Sequence, residues 1–276
     1  MRYANLSLTL IFLSCTPKAI LIEQPKLVSL YFENKIKKIE KDKPKTLKDK
    51  RLLMKTKVEY AFGVIVEQAD RLIDNDYAGA LEEYKKSYNL FNNAKKIGLS
   101  ILENRYPNFN NWLNRDASIQ FKKEDVKDLY WLAASYGGAI SSSRGNPFEI
   151  VNLPFVGRML HKCIEIDSEW QKGALHSAMM SFTSTRTDLS EKILRDSVDY
   201  YFKNAIEFSN GKDAGPYLTY AELIHKPYQE KNAFLDKLNY VVDMDIHKNS
   251  KYELTNLIAK SRAKWLLSKK DEYFLE

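Results

Sequence analysis

Glycine and proline are scarce in this chain of 276 residues. The 10 Gly and 8 Pro together make up about 6.5% of the sequence, against roughly 12% in average usage. A β-sandwich or barrel of this length needs many tight turns, and tight turns are rich in these two residues. The composition therefore argues against an all-β fold and favours long helices with few breaks.

Cysteine and histidine are also rare. Two cysteines, Cys15 and Cys163, cannot form a disulfide framework, and the four histidines form no HExxH pair. The nearest approach to a metal pair is His161 with Cys163, for which a buried thiol beside an exposed imidazole is the favoured interpretation. No Gly-rich phosphate loop or GxSxG elbow is present. We therefore predict no metal, no cofactor, no catalytic residues and no enzymatic activity.

Long hydrophobic runs are missing: no window approaches 18 apolar residues, and residues 6–13, LSLTLIFL, form a short apolar stretch without charge. Eight residues rise about 12 Å as a helix, too little for a hydrocarbon core of about 30 Å, but they fit a signal h-region after Arg2. Residues 12–15, FLSC, resemble a bacterial lipobox with Phe12 in place of the usual Leu. The alternative is a first helix of the fold with an incidental cysteine. We predict a signal peptide over 1–14, lipidation of Cys15, and anchorage on the periplasmic face of a bacterial membrane.

Positive charge is concentrated in residues 35–57, which hold eleven Lys or Arg and three acids, although the whole chain carries only +7. This segment contains no aromatic residue, whereas nucleic-acid-binding surfaces combine basic and aromatic side chains. A solvated helix end and linker is the favoured interpretation, and contact with anionic lipid headgroups is the second. Nucleic acid is not an expected partner. The predicted organisation is an anchor, first helix and basic linker over 15–44 and a folded domain over 45–276.

Elsewhere, apolar residues recur at spacings of three and four, as in a helix that buries one face. Breaks fall at Pro107 and at residues 145–147, Gly-Asn-Pro. The pattern predicts helices over residues 26–40, 45–75, 77–104, 124–142, 149–166, 171–184, 188–208, 214–225, 229–244 and 250–270.

Three predicted helices end alike, at residues 163–167 (CIEID), 205–209 (AIEFS) and 241–245 (VVDMD). A period near 34 residues with this ending resembles the second helix of tetratricopeptide (TPR) repeats, which must stack to bury their apolar faces. The predicted fold class is therefore all-α, with degenerate TPR-like helical hairpins stacked in an α-solenoid or a compact helical bundle.

Several stretches carry a more specific resemblance, in order, over roughly residues 50–270. They are 105–109 (RYPNF), 122–126 (KKEDV) leading into 129–141 (LYWLAASYGGAIS), 173–176 (GALH), 210–222 (NGKDAGPYLTYAE) and 262–266 (RAKWL). Together they resemble the T-component family of tripartite ATP-independent periplasmic (TRAP) transporters, which are TPR-like lipoproteins.

The resemblance implies a non-enzymatic scaffold outside the cytoplasm that works with an extracytoplasmic solute-binding protein and an ion-driven TRAP permease. Some members are thought to assemble around a central pore, so a homo-oligomer is one expected assembly. The alternative is a generic TPR-like lipoprotein that binds peptides or proteins as an adaptor. Such an adaptor should carry a basic column at a fixed repeat position, and residues 149–270 show none.

Five side chains are candidates for a ligand-facing or partner-facing set: Trp131, Tyr136, His176, Tyr217 and Tyr220. Aromatic residues are rigid anchors with polar tips, suited to partner surfaces and to amphipathic ligands. Packing in the core is the alternative for each of them, and for His176 a core histidine with satisfied hydrogen bonds is favoured.

Two glycine positions near these candidates are also open to two interpretations. Gly137-Gly138 inside a helix either allows a close helix approach or walls a ligand passage. Gly215-Pro216 begins a helix whose N–H groups can bind a carboxylate or can be capped by a neighbouring side chain.

Lipidation is testable directly. If Cys15 is the modified residue, metabolic labelling with palmitate should mark the wild-type protein and should be abolished in Cys15→Ala. Equal labelling of the two proteins, or an intact Met1 on the mature chain, would contradict the lipobox interpretation.

Overall fold

The computed structural model describes residues 25–41, 46–246 and 251–275, and its regular structure is helical. No strand occurs among these residues, which confirms the all-α prediction. Cys15, the predicted signal segment 1–14 and Pro44 lie outside the described residues. The helices are α1 (Pro25–Lys41), α2 (47–72), α3 (Tyr77–Arg105), α4 (Phe109–Leu113), α5 (Val126–Ser142), α6 (Pro147–Ile150), α7 (Leu153–Asp167), α8 (Ala174–Ser184), α9 (Glu191–Ser209), α10 (215–225), α11 (Lys231–Asp243), α12 (Glu253–Ser268) and α13 (Lys270–Tyr273).

Helix starts follow local capping rules. Thr46 caps α2 in a capping box, in which the Asp49 N–H donates to Thr46 Oγ1 (3.1 Å) and the Thr46 N–H donates to the Asp49 carboxylate. The carboxylate of Asp76 caps α3 by accepting from the N–H of Gly79 at 2.9 Å. These short-range signals explain why the predicted helices match the observed ones to within a few residues.

The long helices pack largely in chain order, α2 on α3, α3 on α5, α5 on α7, α7 on α8, α8 on α9 and α11 on α12. The largest buried cluster lies between α5, α7 and α8, with Leu132 and Met159 fully buried at its centre. The three similar helix endings have a common role, because Cys163, Ala205 and Val241 at their first positions are all buried. At two of them an earlier part of the chain comes close: the Cys163 thiol lies 3.5 Å from the Val126 carbonyl, and a Cβ on Gly173 would lie 2.7 Å from the Ala205 carbonyl oxygen.

Helix α1 belongs to the packed structure. On its inner face, Val28 and Ile36 are buried in a cluster with Tyr60 of α2. The ring of Phe32 on α1 stacks on the ring of Tyr60, with 5.3 Å between the centroids. Its outer face leaves Leu27 and Leu30 exposed.

The basic segment is not entirely a solvated surface. Lys57 is buried, and its Nζ lies 2.7 Å from Glu40 Oε1 on α1. Arg51 Nε donates to Asp128 Oδ1 on α5 at 2.7 Å, and Asp128 is fully buried. Two of the eleven basic side chains thus tie α2 to its neighbours through partners distant in sequence, which charge counting does not reveal.

The last long helix returns to the second. Arg262 on α12 donates from Nη1 to Glu67 Oε1 (2.8 Å) on α2, and the same Nη1 lies 2.8 Å from Asp70 Oδ2. Its Nε and Nη2 donate to the two carboxylate oxygens of Glu222 on α10 at 2.8 and 2.7 Å. Near the end of α12, Lys269 Nζ donates to Asp74 at 2.6 Å. These contacts therefore connect helices whose paired residues, Glu67 and Arg262, are 195 positions apart in the sequence.

Two π-helical turns lie beside this contact, at Ala61–Val66 in α2 and Ala221–His225 in α10. The first ends immediately before Glu67 and the second contains Glu222. A π turn holds one extra residue, which rotates the following side chains by about 100° around the helix. The first turn thus helps to set the direction of Glu67, which follows it.

The two adjacent glycines on α5 have different surroundings: Gly138 is closely packed and Gly137 is open. A Cβ on Gly138 would lie 2.3 Å from Cε1 of Phe91, a fully buried ring on α3. A Cβ on Gly137 would meet no atom of the described residues within 4 Å. Gly138 therefore serves the close approach of α3 and α5, and no passage is needed to explain it.

The two neighbours form a matched test. Gly138→Ala should lower the free energy of unfolding by about 1–3 kcal/mol because the buried Phe91 ring has no room to move. Gly137→Ala should raise it by up to about 1 kcal/mol through helix propensity alone. Urea unfolding of the two variants measures both, and changes of the same sign would contradict the packing described here.

Candidate functional site

Polar residues of the motif stretches 105–109 and 122–126 meet in a buried cluster. Arg105 forms an ion pair with Asp125, and the Tyr106 hydroxyl donates to the other oxygen of Asp125 at 2.5 Å. Asp128, one turn further along, accepts from Arg51. Both aspartates are fully buried. This cluster fixes the corner between α3 and α4 to the start of α5 and to α2, so these residues hold the structure together.

Trp131 and Tyr136 share α5 but face different neighbours. Trp131 is half-buried at the margin of the α2–α3–α5 cluster, with Lys55 Nζ 5.7 Å from its ring centroid. Tyr136 is buried in the main core, 5.9 Å from the Phe155 ring, and burial raises the pKa of its hydroxyl to about 12. The structure therefore does not bring these two rings to one surface.

His176 is buried on α8 with 1% of its surface exposed. Its ring centroid lies 5.2 Å from that of Phe208 and 6.1 Å from that of Tyr201 on α9. Neither ring nitrogen has a hydrogen-bond partner of good geometry among the described residues. Burial lowers the pKa of His176, and a looser backbone contact with Ser168 acts in the opposite direction. The residue is in the core as expected, but its polar atoms are not satisfied.

Tyr217 and Tyr220 do come together, on α10. Phe202 lies 5.2 Å from each of their rings, and Lys237 Nζ is within 5.7 Å of all three centroids. Tyr217 also packs 4.4 Å from Tyr240. The Tyr220 hydroxyl donates a hydrogen bond to Asp199. Burial, followed by this hydrogen bond, raises the pKa of Tyr220. Of the five candidates, these two alone share a cluster, and whether any of the five faces a ligand stays a prediction.

The start of α10 is capped by side chains. The Gly215 N–H donates to Asp213 Oδ1 and the Ala214 N–H donates to Asn256 Oδ1, both at 2.9 Å. Capping therefore accounts for these N–H groups without a bound anion.

A cavity that the sequence did not reveal lies elsewhere, between α4, the loop after it, α7 and the end of α8. Its volume is about 780 Å³. Apolar side chains form much of its wall: Trp112, Ile119, Leu153 and Phe182. On the α7 side Gly157 lets the Phe182 ring lie against the helix, because a Cβ there would lie 2.3 Å from that ring.

The lining of this cavity has more positive than negative side chains. Lys162 is paired with Glu165, and Arg186 with Asp188. The two remaining cations, Arg115 and Arg158, are absent from every ion pair found among the described residues, and the buried Arg158 Nε has no hydrogen-bond partner there. Burial and the nearby Arg115 lower the pKa of Arg158, although the group stays charged at neutral pH.

No helix among the described residues is both long and apolar enough to cross a bilayer. Within the same ranges, no three or more His, Cys, Asp or Glu side chains are grouped so that they can hold a metal ion. Cys163 is fully buried, its thiol donates to the Val126 carbonyl, and burial raises its pKa.

The described residues thus form an all-α scaffold with buried ion-pair clusters and a cavity of mixed apolar and cationic character. Residues 28–274 match the family "TRAP transporter T-component", and the chain belongs to that family. Membership supports an accessory role in TRAP transport and association with TRAP transporter components. The chain is also similar to an uncharacterized protein of Treponema pallidum (strain Nichols), with 20% identity over 226 residues that cover 79% of this chain and 70% of the relative.

The unsatisfied imidazole of His176 yields a prediction about pH. An unfolded histidine titrates near pH 6.5, and the folded pKa of His176 is lower, so below pH 6.5 the unfolded chain takes up the proton first. Wild-type stability should therefore fall as the pH drops from 7 to 5. His176→Leu removes this contribution, so its stability relative to wild type should increase over that range.

Urea unfolding of both proteins at pH 7, 6 and 5 measures the difference, in which the titration of all other groups cancels. A difference that stays constant with pH, or that shrinks as the pH falls, would contradict the assignment.

Proposed function

We propose that this chain is a non-enzymatic, lipid-anchored periplasmic accessory of a TRAP-type transporter. It binds the solute-binding protein of that system and takes up a small apolar or carboxylate-bearing ligand on the way to the permease. The observation that carries the proposal is the family match over residues 28–274.

The architecture is compatible with this role. We interpret the packed helices as degenerate TPR-like hairpins, with a homo-oligomer as one form of the assembly. An apolar corner at α6 is open to a protein partner, since Phe148 is 83% exposed and Val151 is 69% exposed. Grouped, exposed apolar side chains of this size are typical of protein contact surfaces.

The chemistry of the described core favours binding over catalysis. Cys163 lies out of reach of a substrate, and rings enclose His176. The carboxylates of the two buried ion-pair clusters are engaged by Arg51, Arg105 and Arg262. These groups have structural partners and lack the access that acid–base work requires.

The proposal is tested by binding. The purified chain should bind the solute-binding protein encoded beside its gene, as measured by calorimetry, and should not bind a solute-binding protein from an unrelated transporter. Phe148→Ser should weaken that binding without changing the melting temperature, because the side chain is already in solvent. Absence of any affinity for the neighbouring solute-binding protein would refute the transport role.

The aromatic candidates need a paired measurement of stability and binding. Truncation of a buried core aromatic typically costs about 3–5 kcal/mol, whereas a ligand-facing ring can be lost with little change in stability. Trp131→Ala and Tyr217→Ala should each weaken ligand or partner binding while the melting temperature falls only slightly. Tyr77→Ala, at a 64% exposed ring, is the control expected to change neither. Joint loss of stability and binding in both variants would identify them as core residues.

A further inference from the structure

The cavity between α4, α7 and α8 contains two arginines that form no ion pair with any carboxylate of the described residues. Its two acids are already engaged by Lys162 and Arg186, which leaves Arg115 and Arg158 as excess positive charge. We infer that this cavity binds a small organic anion, with a carboxylate held by Arg158 and Arg115 and an apolar body against Trp112 and Phe182.

Arg158 is placed as a carboxylate receptor. Its guanidinium carbon lies 4.7 Å from the centroid of the Trp112 ring, and its Nε is buried without a hydrogen-bond partner among the described residues. Stacking on an aromatic face leaves the N–H edge of a guanidinium free, and that edge matches the two oxygens of a carboxylate. Because Nε is inaccessible, the two terminal Nη groups are the donors that a carboxylate would meet.

Arg115 occupies a backbone position that favours glycine. It follows α4 with φ 69°, and a Schellman-type closure surrounds it, with the Arg115 N–H donating to the Trp112 carbonyl and the Asp116 N–H to the Asn111 carbonyl. A non-glycine residue in this left-handed conformation is disfavoured by local sterics. Five other non-glycine residues of the described ranges also have positive φ, Arg144 among them, so the backbone alone assigns no role; the place of Arg115 in the cavity lining does.

The walls and the size of the cavity define the rest of the ligand. Trp112 and Phe182 present aromatic surface, and the absence of a side chain on Gly157 lets the Phe182 ring lie against α7. A volume of about 780 Å³ is within the usual range for small-molecule sites. The structure thus favours an amphipathic monocarboxylate over inorganic phosphate, which would leave the aromatic walls uncovered.

A titratable reporter lines the same cavity. Burial lowers the pKa of His161, Glu165 acts in the opposite direction, and Arg186 lowers it further. A bound carboxylate adds a negative charge nearby, so it should raise the pKa of this imidazole. The inference deepens the proposed function by naming the ligand class, but its test uses the purified chain alone and does not depend on a partner protein.

The experiment compares 4-phenylbutyrate with its uncharged amide, 4-phenylbutanamide, by isothermal titration calorimetry on the mature chain. The carboxylate should bind at least tenfold more tightly than the amide. Arg158→Gln and Arg115→Gly should each weaken 4-phenylbutyrate about tenfold or more and leave the amide nearly unchanged. In an NMR titration, the pKa of His161 should rise with 4-phenylbutyrate and not with the amide.

Two controls separate binding from folding. Arg144 lies over the Tyr84 ring at the same 4.7 Å but outside the cavity, so Arg144→Gln should bind 4-phenylbutyrate as wild type does. Arg115→Gly places the favoured residue at its position, so its melting temperature should equal or exceed that of wild type even if Arg158→Gln unfolds.

Equal affinities for carboxylate and amide, no measurable binding of either, or wild-type binding by folded Arg115→Gly would overturn the inference. Each of these results leaves the binding of the solute-binding protein open. Conversely, failure of the partner experiment leaves the anion site intact.

Discussion

The guanidinium of Arg262 joins the last long helix, α12, to α2 and α10. Burial alone would lower its pKa, but Glu222, Glu67 and Asp70 raise it, so the charge is retained where water has little access. For Glu67 the effect of burial is the larger one: burial raises its pKa, and the nearby charges of Arg262 and Arg71 lower it by less. Removing one partner of such a buried pair typically costs about 3–5 kcal/mol, a large part of the stability of an ordinary domain.

The Arg262 contact couples the opening of one pair of helices to helices that are distant in the sequence. An open array of hairpins is stabilised only between neighbours, so its ends fray independently. Here α12 is held to α2 and α10 by charge-assisted hydrogen bonds, and the second buried cluster ties Arg51 and Arg105 to Asp128 and Asp125. Opening one pair of helices must therefore disturb distant ones. The Arg105–Asp125 pair also fixes the corner after which α4, one wall of the cavity, begins.

Most of the fold could be predicted because its causes are local. Periodicity, with the break at residues 145–147, predicted α2 over 45–75 and α5 over 124–142, and the helices are observed at 47–72 and Val126–Ser142. The cavity could not be predicted, because Arg115 and Arg158 are 43 residues apart and only tertiary packing shows which cations lack a partner. One signal was present in the sequence, since Gly157 interrupts an otherwise apolar helical stretch and marks a close approach.

The residues of the buried ion pairs and the residues that line the cavity come from different parts of the sequence. Arg105, Asp125, Glu222 and Arg262 lie within those stretches, and all four serve buried ion pairs. Trp112, Arg115, Arg158 and Phe182 lie outside them and line the cavity. The stretches that resemble the family thus contain residues that hold the helices together. Such features can be shared by proteins that carry different cargo. The charge and shape of the cavity are thus specified by residues outside those stretches.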